Sequence, residues 1–193
     1  MTLLHAPADG SVATVWDERA ASVRWARRAF DGGTVVLAVQ STDLFLSVGA
    51  VCEVAVIDTA GQNLLDTLIN PRVPVTQSAQ KFHHLRDEML SGAPAFGVVL
   101  ADLLAVTAGR TVAAYNAGFV KAVLLGECGK AGMDPEHFED GQIWRCISQA
   151  RSAAAGHPDH HWPLEGGARA SGACHAALQV LRSVADGRAD VRS

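Results

Sequence analysis

The apolar residues of this chain recur every three or four positions in four segments, which predicts four helices. The predicted helices cover residues 16–30, 96–104, 119–131 and 173–184. Two glycines, Gly109 and Gly132, follow such segments, where glycine commonly ends a helix. Residues 1–14 contain few large apolar side chains, and we expect a loose terminus there.

Four shorter segments are almost continuously apolar or rich in β-branched residues, as strands covered on both faces are. They cover residues 35–39, 51–57, 64–69 and 111–115. The first three follow one another as a meander, whereas the fourth alternates with helices. This order predicts an α/β fold with a mixed sheet flanked by helices. Residues 133–167 are rich in proline, glycine and histidine, and we expect mostly connecting loop there.

Composition and charge exclude some classes of protein. The chain has 193 residues, of which 49% are hydrophobic, and this suits one domain with one core. No segment reaches the roughly 18 consecutive apolar residues of a membrane span, and no signal-peptide pattern begins the chain, so we expect a cytoplasmic protein without membrane contact. The net charge is −4 and the basic residues form no cluster, which disfavours nucleic acid as a ligand. The scattered cysteines predict neither disulfides nor a zinc site.

Three segments resemble the motifs of the DEDDh 3′→5′ exonucleases, the family of the proofreading subunit of bacterial DNA polymerase and of RNase T. Residues 36–44 resemble an apolar strand with Asp-x-Glu-Thr-Thr-Gly-Leu, residues 115–120 resemble Asn-Ala-x-Phe-Asp, and residues 168–173 resemble His-x-x-x-x-Asp. The resemblance implies an RNase H-like exonuclease fold with a mixed, mostly five-stranded sheet. We therefore expect a tail and leading helix at 1–33, an exonuclease-like domain at 34–186 and a tail at 187–193.

At the five positions where the resemblance places four catalytic acids and a histidine, this chain carries neutral residues. These positions are Ala38, Gln40, Val120, Ala168 and Ala173. Active members hold two divalent ions with the acids, while the histidine activates the attacking water. Among the replacements only the Gln40 amide offers an oxygen ligand for Mg²⁺ or Mn²⁺. We therefore predict no metal, no cofactor and no nuclease activity.

Neutral residues in place of close carboxylates turn a cation site into a partly apolar pocket that suits a small organic ligand. We predict a metal-independent enzyme that acts on a small organic substrate by proton transfer, such as dehydration or a cyclisation by conjugate addition. The candidate acid or base is His83 or His84, and His84 stands where the family normally has glycine. The alternative is a non-catalytic pseudo-exonuclease that binds nucleic acid or a protein partner. The sequence identifies neither the substrate nor the oligomeric state.

The candidate pocket residues come from the motif segments and from the loop before the third motif. They are Ala38, Gln40, Ser41, Thr42, Tyr115, Asn116, Val120, His161, Trp162, Ala168, Arg169 and Ala173. Asn116 is also typical of a structural residue at a strand end. His83 also fits a structural role in a loop that is inherited from the family. The histidine-rich segment 157–161 contains possible ligands for a transition metal, but its proline and the preceding Gly156 favour a surface loop.

Overall fold

Five strands form one mixed sheet in the computed structural model, which describes residues 11–43 and 49–188. The strands are β1 (Thr34–Ser41), β2 (Val51–Asp58), β3 (Asn63–Leu68), β4 (Thr111–Ala114) and β5 (Trp144–Cys146). Their order across the sheet is β3-β2-β1-β4-β5. The pairs β1–β2 and β2–β3 are antiparallel, whereas β1–β4 and β4–β5 are parallel. The mixed five-stranded sheet predicted from the sequence is confirmed.

The two central strands β1 and β2 are buried along almost their whole length. In β1 only Ala38, and in β2 only Asp58, is not fully buried. Helices cover both faces of the sheet at this point, so neither strand has a solvent side on which polar residues would be favoured. This position explains the continuous apolar runs in the sequence. The edge strand β3 is partly exposed and places Asp66 at the surface.

Helices flank the sheet on both faces. They are α1 (Ser11–Ala29), α2 (Gln77–His83), α3 (Asp87–Leu90), α4 (Phe96–Thr107), α5 (Ala117–Ala131), α6 (Ile147–Ala154) and α7 (Ala170–Ala185). Helices α4 and α5 cover one face, whereas α6 and α7 cover the other with α1 packed against them. Two 3₁₀ turns, Glu136–Glu139 and Gly141–Ile143, lead from α5 to β5.

The core consists of two main hydrophobic clusters, one on each face of the sheet. Leu37 belongs to the cluster under α4 and α5, and its neighbour Val36 belongs to the cluster under α7. Successive strand residues point to opposite faces, so one strand supplies both clusters. All four cysteines are free thiols, and burial raises the pKa of Cys52 to about 12. Within residues 11–43 and 49–188, no helix combines the length and apolarity that crossing a bilayer requires.

The structure corrects the sequence prediction at two places. Residues 11–14, expected in a loose terminus, are part of α1, and residues 1–10 lie outside the described residues. Residues 133–167, expected to be mostly loop, contain β5 and α6. The three residues of β5 are too few to show a period, and α6 buries mainly small residues such as Ala150 and Ala154, which give a weak apolar stripe.

A test of the packing of α4 compares two residues of that helix. Leu103 is completely buried, so Leu103→Ala is expected to lower the free energy of unfolding by about 2–5 kcal/mol through lost contacts and a residual cavity. Val98 is 67% exposed, and Val98→Ala should change this free energy by less than about 0.5 kcal/mol. Urea denaturation measures both values. Equal losses in the two variants would contradict the orientation of α4.

Candidate functional site

A cavity lies at the carboxyl ends of the parallel strands β1 and β4. Their pairing ends with Val36 beside Ala113, after which β1 continues to Ser41 and the other chain segment turns into α5. Ligands of open α/β sheets commonly bind beyond the carboxyl ends of parallel strands. The cavity has a volume of about 210 Å³, and its other walls come from α2, α7 and the loop before α7.

Residues from all three motif segments line this cavity. They are Ala38, Gln40 and Ser41 in β1, Tyr115 and Asn116 before α5, Val120 in α5, and Ala173 in α7. This set includes all four positions at which the resemblance places carboxylates. Positions far apart in the sequence are therefore brought to one place by the sheet and the two helices.

The other predicted pocket residues lie outside the cavity wall. Thr42 is buried, and its hydroxyl accepts a hydrogen bond from the amide of Ala50 at 2.9 Å. His161 and Trp162 lie in the loop before α7, and the Trp162 carbonyl accepts a hydrogen bond from the Tyr115 hydroxyl at 2.8 Å. Ala168 is half-buried just before α7. Of these residues, Trp162 is bound to a residue of the wall, Tyr115.

Arg169 and Glu53 connect the start of α7 to β2. The Nε of Arg169 donates to Oε1 of Glu53 at 2.8 Å, and the amide of Ala170 donates to Oε2 at 2.7 Å. Glu53 is 2% exposed, and its charge is compensated by these charge-assisted bonds. The hydrogen bond from Arg169 to Glu53 raises the pKa of Arg169. The guanidinium of Arg169 is therefore bound to Glu53 and does not line the cavity.

The aliphatic and aromatic part of the cavity wall was missed by the sequence analysis. Leu37 and Val39 line the cavity although they alternate with Ala38 and Gln40. Both sets contribute because the cavity lies beside the unpaired edge of β1, where the two faces of the strand meet. Aromatic rings come from α2 and α5, and further apolar contacts come from α7 and from the loop before it. These residues are Phe82, Phe119, Ala177 and Leu164.

A pair of glycines closes the loop over the start of α7. Gly166 and Gly167 both line the cavity and have positive φ angles of +82° and +75°. A Cβ atom on Gly167 would lie 2.3 Å from the nitrogen of Ala173, so no side chain fits there. The double glycine directly before the third motif is the sequence signal that marks this close approach.

Most polar side chains at the cavity already have partners. The Ser41 hydroxyl donates to the carbonyl of Asp43 at 2.6 Å. The side-chain oxygen of Asn116 accepts a hydrogen bond from the amide of Phe119 at 3.3 Å and so caps α5. Gln40 differs from them, because no hydrogen bond joins its side-chain amide to a described residue, although the residue is only 7% exposed.

The donor set of the cavity does not fit the two divalent cations that the sequence resemblance implies. Among the described residues of its wall there is no carboxylate. No group of three His, Cys, Asp or Glu side chains in residues 11–43 and 49–188 is arranged to hold a metal ion, and this range includes the exposed histidines of segment 157–161. Mg²⁺ and Mn²⁺ prefer carboxylates and other hard oxygen ligands, and the neutral amides and hydroxyls of this wall cannot replace four carboxylates.

His83 lies in the core and outside the cavity wall. It is 1% exposed, its Nδ1 accepts a hydrogen bond from the amide of Leu85 at 3.1 Å, and its Nε2 lies 3.1 Å from the carbonyl of Ser41. This arrangement requires the neutral tautomer with hydrogen on Nε2. Burial lowers the pKa of His83. The ring links the end of α2 to the end of β1, and its predicted role as acid or base is untested.

His84 is exposed and ends α2 in the left-handed conformation, with φ of 63°. Its amide donates to the carbonyl of Gln80, which closes the last turn of the helix. A side chain with a Cβ is disfavoured in this region, which is why glycine is typical at such a position. His84 does not line the cavity itself, but Phe82, two residues earlier, does.

Comparisons with known proteins agree with this architecture. A family model described as RNase_T, exonuclease, matches residues 34–177. E. coli exonuclease I in complex with a dA16 oligonucleotide matches with a TM-score of 0.64 and 11% identity over 81% of this chain and 42% of that chain. The zinc-bound form of the E. coli exonuclease I complex with single-stranded DNA has a TM-score of 0.62 and 11% identity, over 81% of this chain and 41% of that chain.

Exonuclease I from Methylocaldum szegediense matches with a TM-score of 0.61 and 14% identity, over 78% of this chain and 40% of that chain. These likenesses show a common fold, and the chain spans less than half the length of the exonuclease I structures it matches. No curated protein matches the chain.

The lowered pKa of His83 predicts a specific loss of stability in acid. Above the ordinary pKa of 6.5 the ring is neutral in both the folded and the unfolded chain, whereas below it the unfolded chain takes up a proton that the buried ring resists. The melting temperature should therefore fall between pH 7.5 and pH 5.5 more steeply in the wild type than in His83→Asn. The exposed His84→Asn variant should keep the wild-type slope. Parallel slopes for wild type and His83→Asn would contradict the buried neutral ring.

The left-handed conformation of His84 predicts that a smaller residue stabilises the protein. His84→Gly should raise the free energy of unfolding by about 1 kcal/mol, because glycine avoids the steric cost of this conformation. Lys81→Gly is the matched control within α2, where glycine should lower this free energy by about 1 kcal/mol. Urea denaturation distinguishes the two signs. A loss of stability in His84→Gly would show that the side chain stabilises the fold.

Proposed function

This chain belongs to the exonuclease family, and we propose that it is a metal-independent member whose cavity takes a small organic molecule. The observation that carries the proposal is the neutral, largely apolar wall at the place where the motif segments meet. There the wall contains Ala38, Gln40, Val120 and Ala173. Hydrolysis of a phosphodiester through two metal ions needs anionic ligands at such positions, since the ions must be held and the developing charge neutralised.

The size and polarity of the cavity support a small organic ligand. Ligand pockets in proteins are concave and mostly apolar, with a few polar groups that orient the bound molecule. An apolar cavity of about 150 Å³ already accepts benzene, and the cavity in this chain has about 210 Å³. Gln40 supplies a polar group without a partner, and Asn116 keeps its amide nitrogen available. A compound of one substituted ring therefore matches the space.

For the reaction we propose proton transfer, such as dehydration or ring closure by conjugate addition, with His84 as the acid or base. His84 is exposed and lies two residues after Phe82, which belongs to the cavity wall. In contrast, both ring nitrogens of His83 already face partners in the core. An imidazole titrates near neutral pH and can both give and accept a proton. The unfavourable backbone conformation of His84 supports a functional reason for a side chain at this position.

The proposal predicts that the purified protein does not shorten labelled single-stranded DNA or RNA from the 3′ end in the presence of Mg²⁺ or Mn²⁺. The matched control is a variant that restores the acids and the histidine of the family pattern. Its substitutions are Ala38→Asp, Gln40→Glu, Val120→Asp, Ala168→His and Ala173→Asp. This variant should bind Mn²⁺ in a calorimetric titration, whereas the wild type should show no saturable binding of Mn²⁺ at these positions.

Progressive shortening of the oligonucleotide by the wild type, abolished by a chelator, would contradict the proposal. A second outcome would favour the pseudo-exonuclease hypothesis. In that case the wild type would bind oligonucleotides with submicromolar affinity, and this affinity would fall steeply with added salt because protein cations displace counterions from the phosphates. The net charge of −4 supports the opposite expectation of weak binding.

A further inference from the structure

Gln40 places an unpaired amide group in the wall of the cavity. The residue is only 7% exposed, and its side chain has no hydrogen-bond partner among the described residues. Its neighbour across the strand pair is Glu53, whose two carboxylate oxygens accept hydrogen bonds from Arg169 and from the amide of Ala170. No side-chain nitrogen or oxygen of the described residues is both sealed from solvent and without a partner, so the amide of Gln40 is accessible from the cavity. A ligand in the cavity can therefore reach this amide and form hydrogen bonds with it.

The chemistry of an amide restricts what can pair with Gln40. The side chain carries one carbonyl oxygen that accepts and one NH₂ group that donates, side by side in one plane. A carboxylate can only accept and an ammonium group can only donate, so each would leave half of the amide unpaired. A cyclic amide presents a donor N–H next to an acceptor C=O, and it can form both hydrogen bonds at once.

The charges around the cavity favour a neutral ligand. Among the described residues that line it, none carries a formal charge. Arg169, which directly precedes α7, is bound to Glu53, and the guanidinium of Arg151 donates to the Tyr115 hydroxyl at 3.2 Å, so both of these cations already have partners. Transfer of an ion from water into such surroundings is unfavourable unless an opposite charge pairs with it. A neutral compound avoids this desolvation cost.

Two phenylalanine rings suggest the shape of the ligand. Phe82 lines the cavity and is 58% exposed, although it is a large apolar side chain, and Phe119 lines it from α5. Aromatic side chains pack favourably against the faces or edges of other rings. A planar ring in the cavity would cover the exposed part of Phe82 and fit the volume of about 210 Å³.

We propose that the cavity recognises a neutral, planar ring compound with a cyclic amide, and that Gln40 forms hydrogen bonds with the N–H and the C=O of that amide. This inference rests on the proposed function of the cavity as a ligand site and adds to it the class of ligand and the residue that selects it. Oε1 of Gln40 accepts from the ligand N–H, and Nε2 donates to the ligand carbonyl. The apolar wall provides the contact area, and the amide pair provides the specificity.

The test compares 2-pyridone, a cyclic amide, with N-methyl-2-pyridone, which lacks the N–H, and with toluene as an apolar probe. Titrations followed by the amide resonances of Phe119, Val120 and Ala173 give the dissociation constants. Wild type should bind 2-pyridone about tenfold more tightly than the N-methyl compound, because methylation removes one hydrogen bond and leaves Oε1 of Gln40 unpaired. Gln40→Met, of similar shape, should bind both pyridones equally. Gln179→Met, an exposed control on α7, should keep the tenfold preference.

Gln40→Glu is a second variant that keeps the length of the side chain and the acceptor for the ligand N–H but removes the donor to the ligand carbonyl. It should therefore bind N-methyl-2-pyridone more weakly than the wild type while it keeps a preference for 2-pyridone. The comparison of the two pyridones in the wild type tests for the hydrogen bond to the ligand N–H even where a variant does not fold. Equal affinity of the wild type for both pyridones, or a preference that persists in Gln40→Met, would overturn the role of Gln40 while the cavity stays a ligand site. Absence of any response of the three resonances to all three compounds would overturn this inference together with the proposed function.

Discussion

The parallel pairing of β1 with β4 ends at Val36 and Ala113, and the site depends on this early end. Beyond it β1 continues to Ser41, held by β2 on its other side, while the segment after β4 turns away into α5. The space between them is closed by α7 and by the loop before it. A longer β4 would fill this space with paired backbone. The cavity is therefore a consequence of strand length and connection, and the side chains around it decide its chemistry.

The charged groups near the cavity are used for structure. Glu53 and Arg169 pair at the start of α7 and fix this helix on β2. Loss of Arg169 would leave the buried carboxylate of Glu53 without its charged partner, which is destabilising. The cavity itself has a neutral wall among the described residues. The fold alone does not decide what this cavity binds, because function depends on the residues at the site.

The sequence predicts those parts of the structure that repeat a pattern over many residues. The strands β1 and β2 are predictable because both are covered on two faces and therefore have continuous apolar sequences. Gly132, which caps α5, is predictable because it stands directly after the helical apolar pattern. The helix α6 could not be predicted from the sequence, since its buried face consists largely of small residues and its eight residues give little more than two turns.

The candidate site was only partly predictable for a related reason. The motif segments point to one place because the resemblance fixes their positions in a known fold, and the structure brings Ala38, Val120 and Ala173 together there. Leu164 and Phe82 reach the cavity from loops and a short helix, whose course no local pattern specifies. The burial of His83 depends on the position of the Ser41 carbonyl, 42 residues away in sequence, and no property of the histidine itself indicates it.

We propose that the cavity holds no pair of divalent cations, and anomalous diffraction can test this proposal. Crystals of the wild-type protein soaked in Mn²⁺ would be measured at a wavelength where manganese scatters anomalously. We expect no anomalous peak beside Gln40, because the wall has no carboxylate among its described residues to hold the ion. Two peaks about 3.5–4 Å apart in the cavity, the separation of a two-metal site, would contradict it.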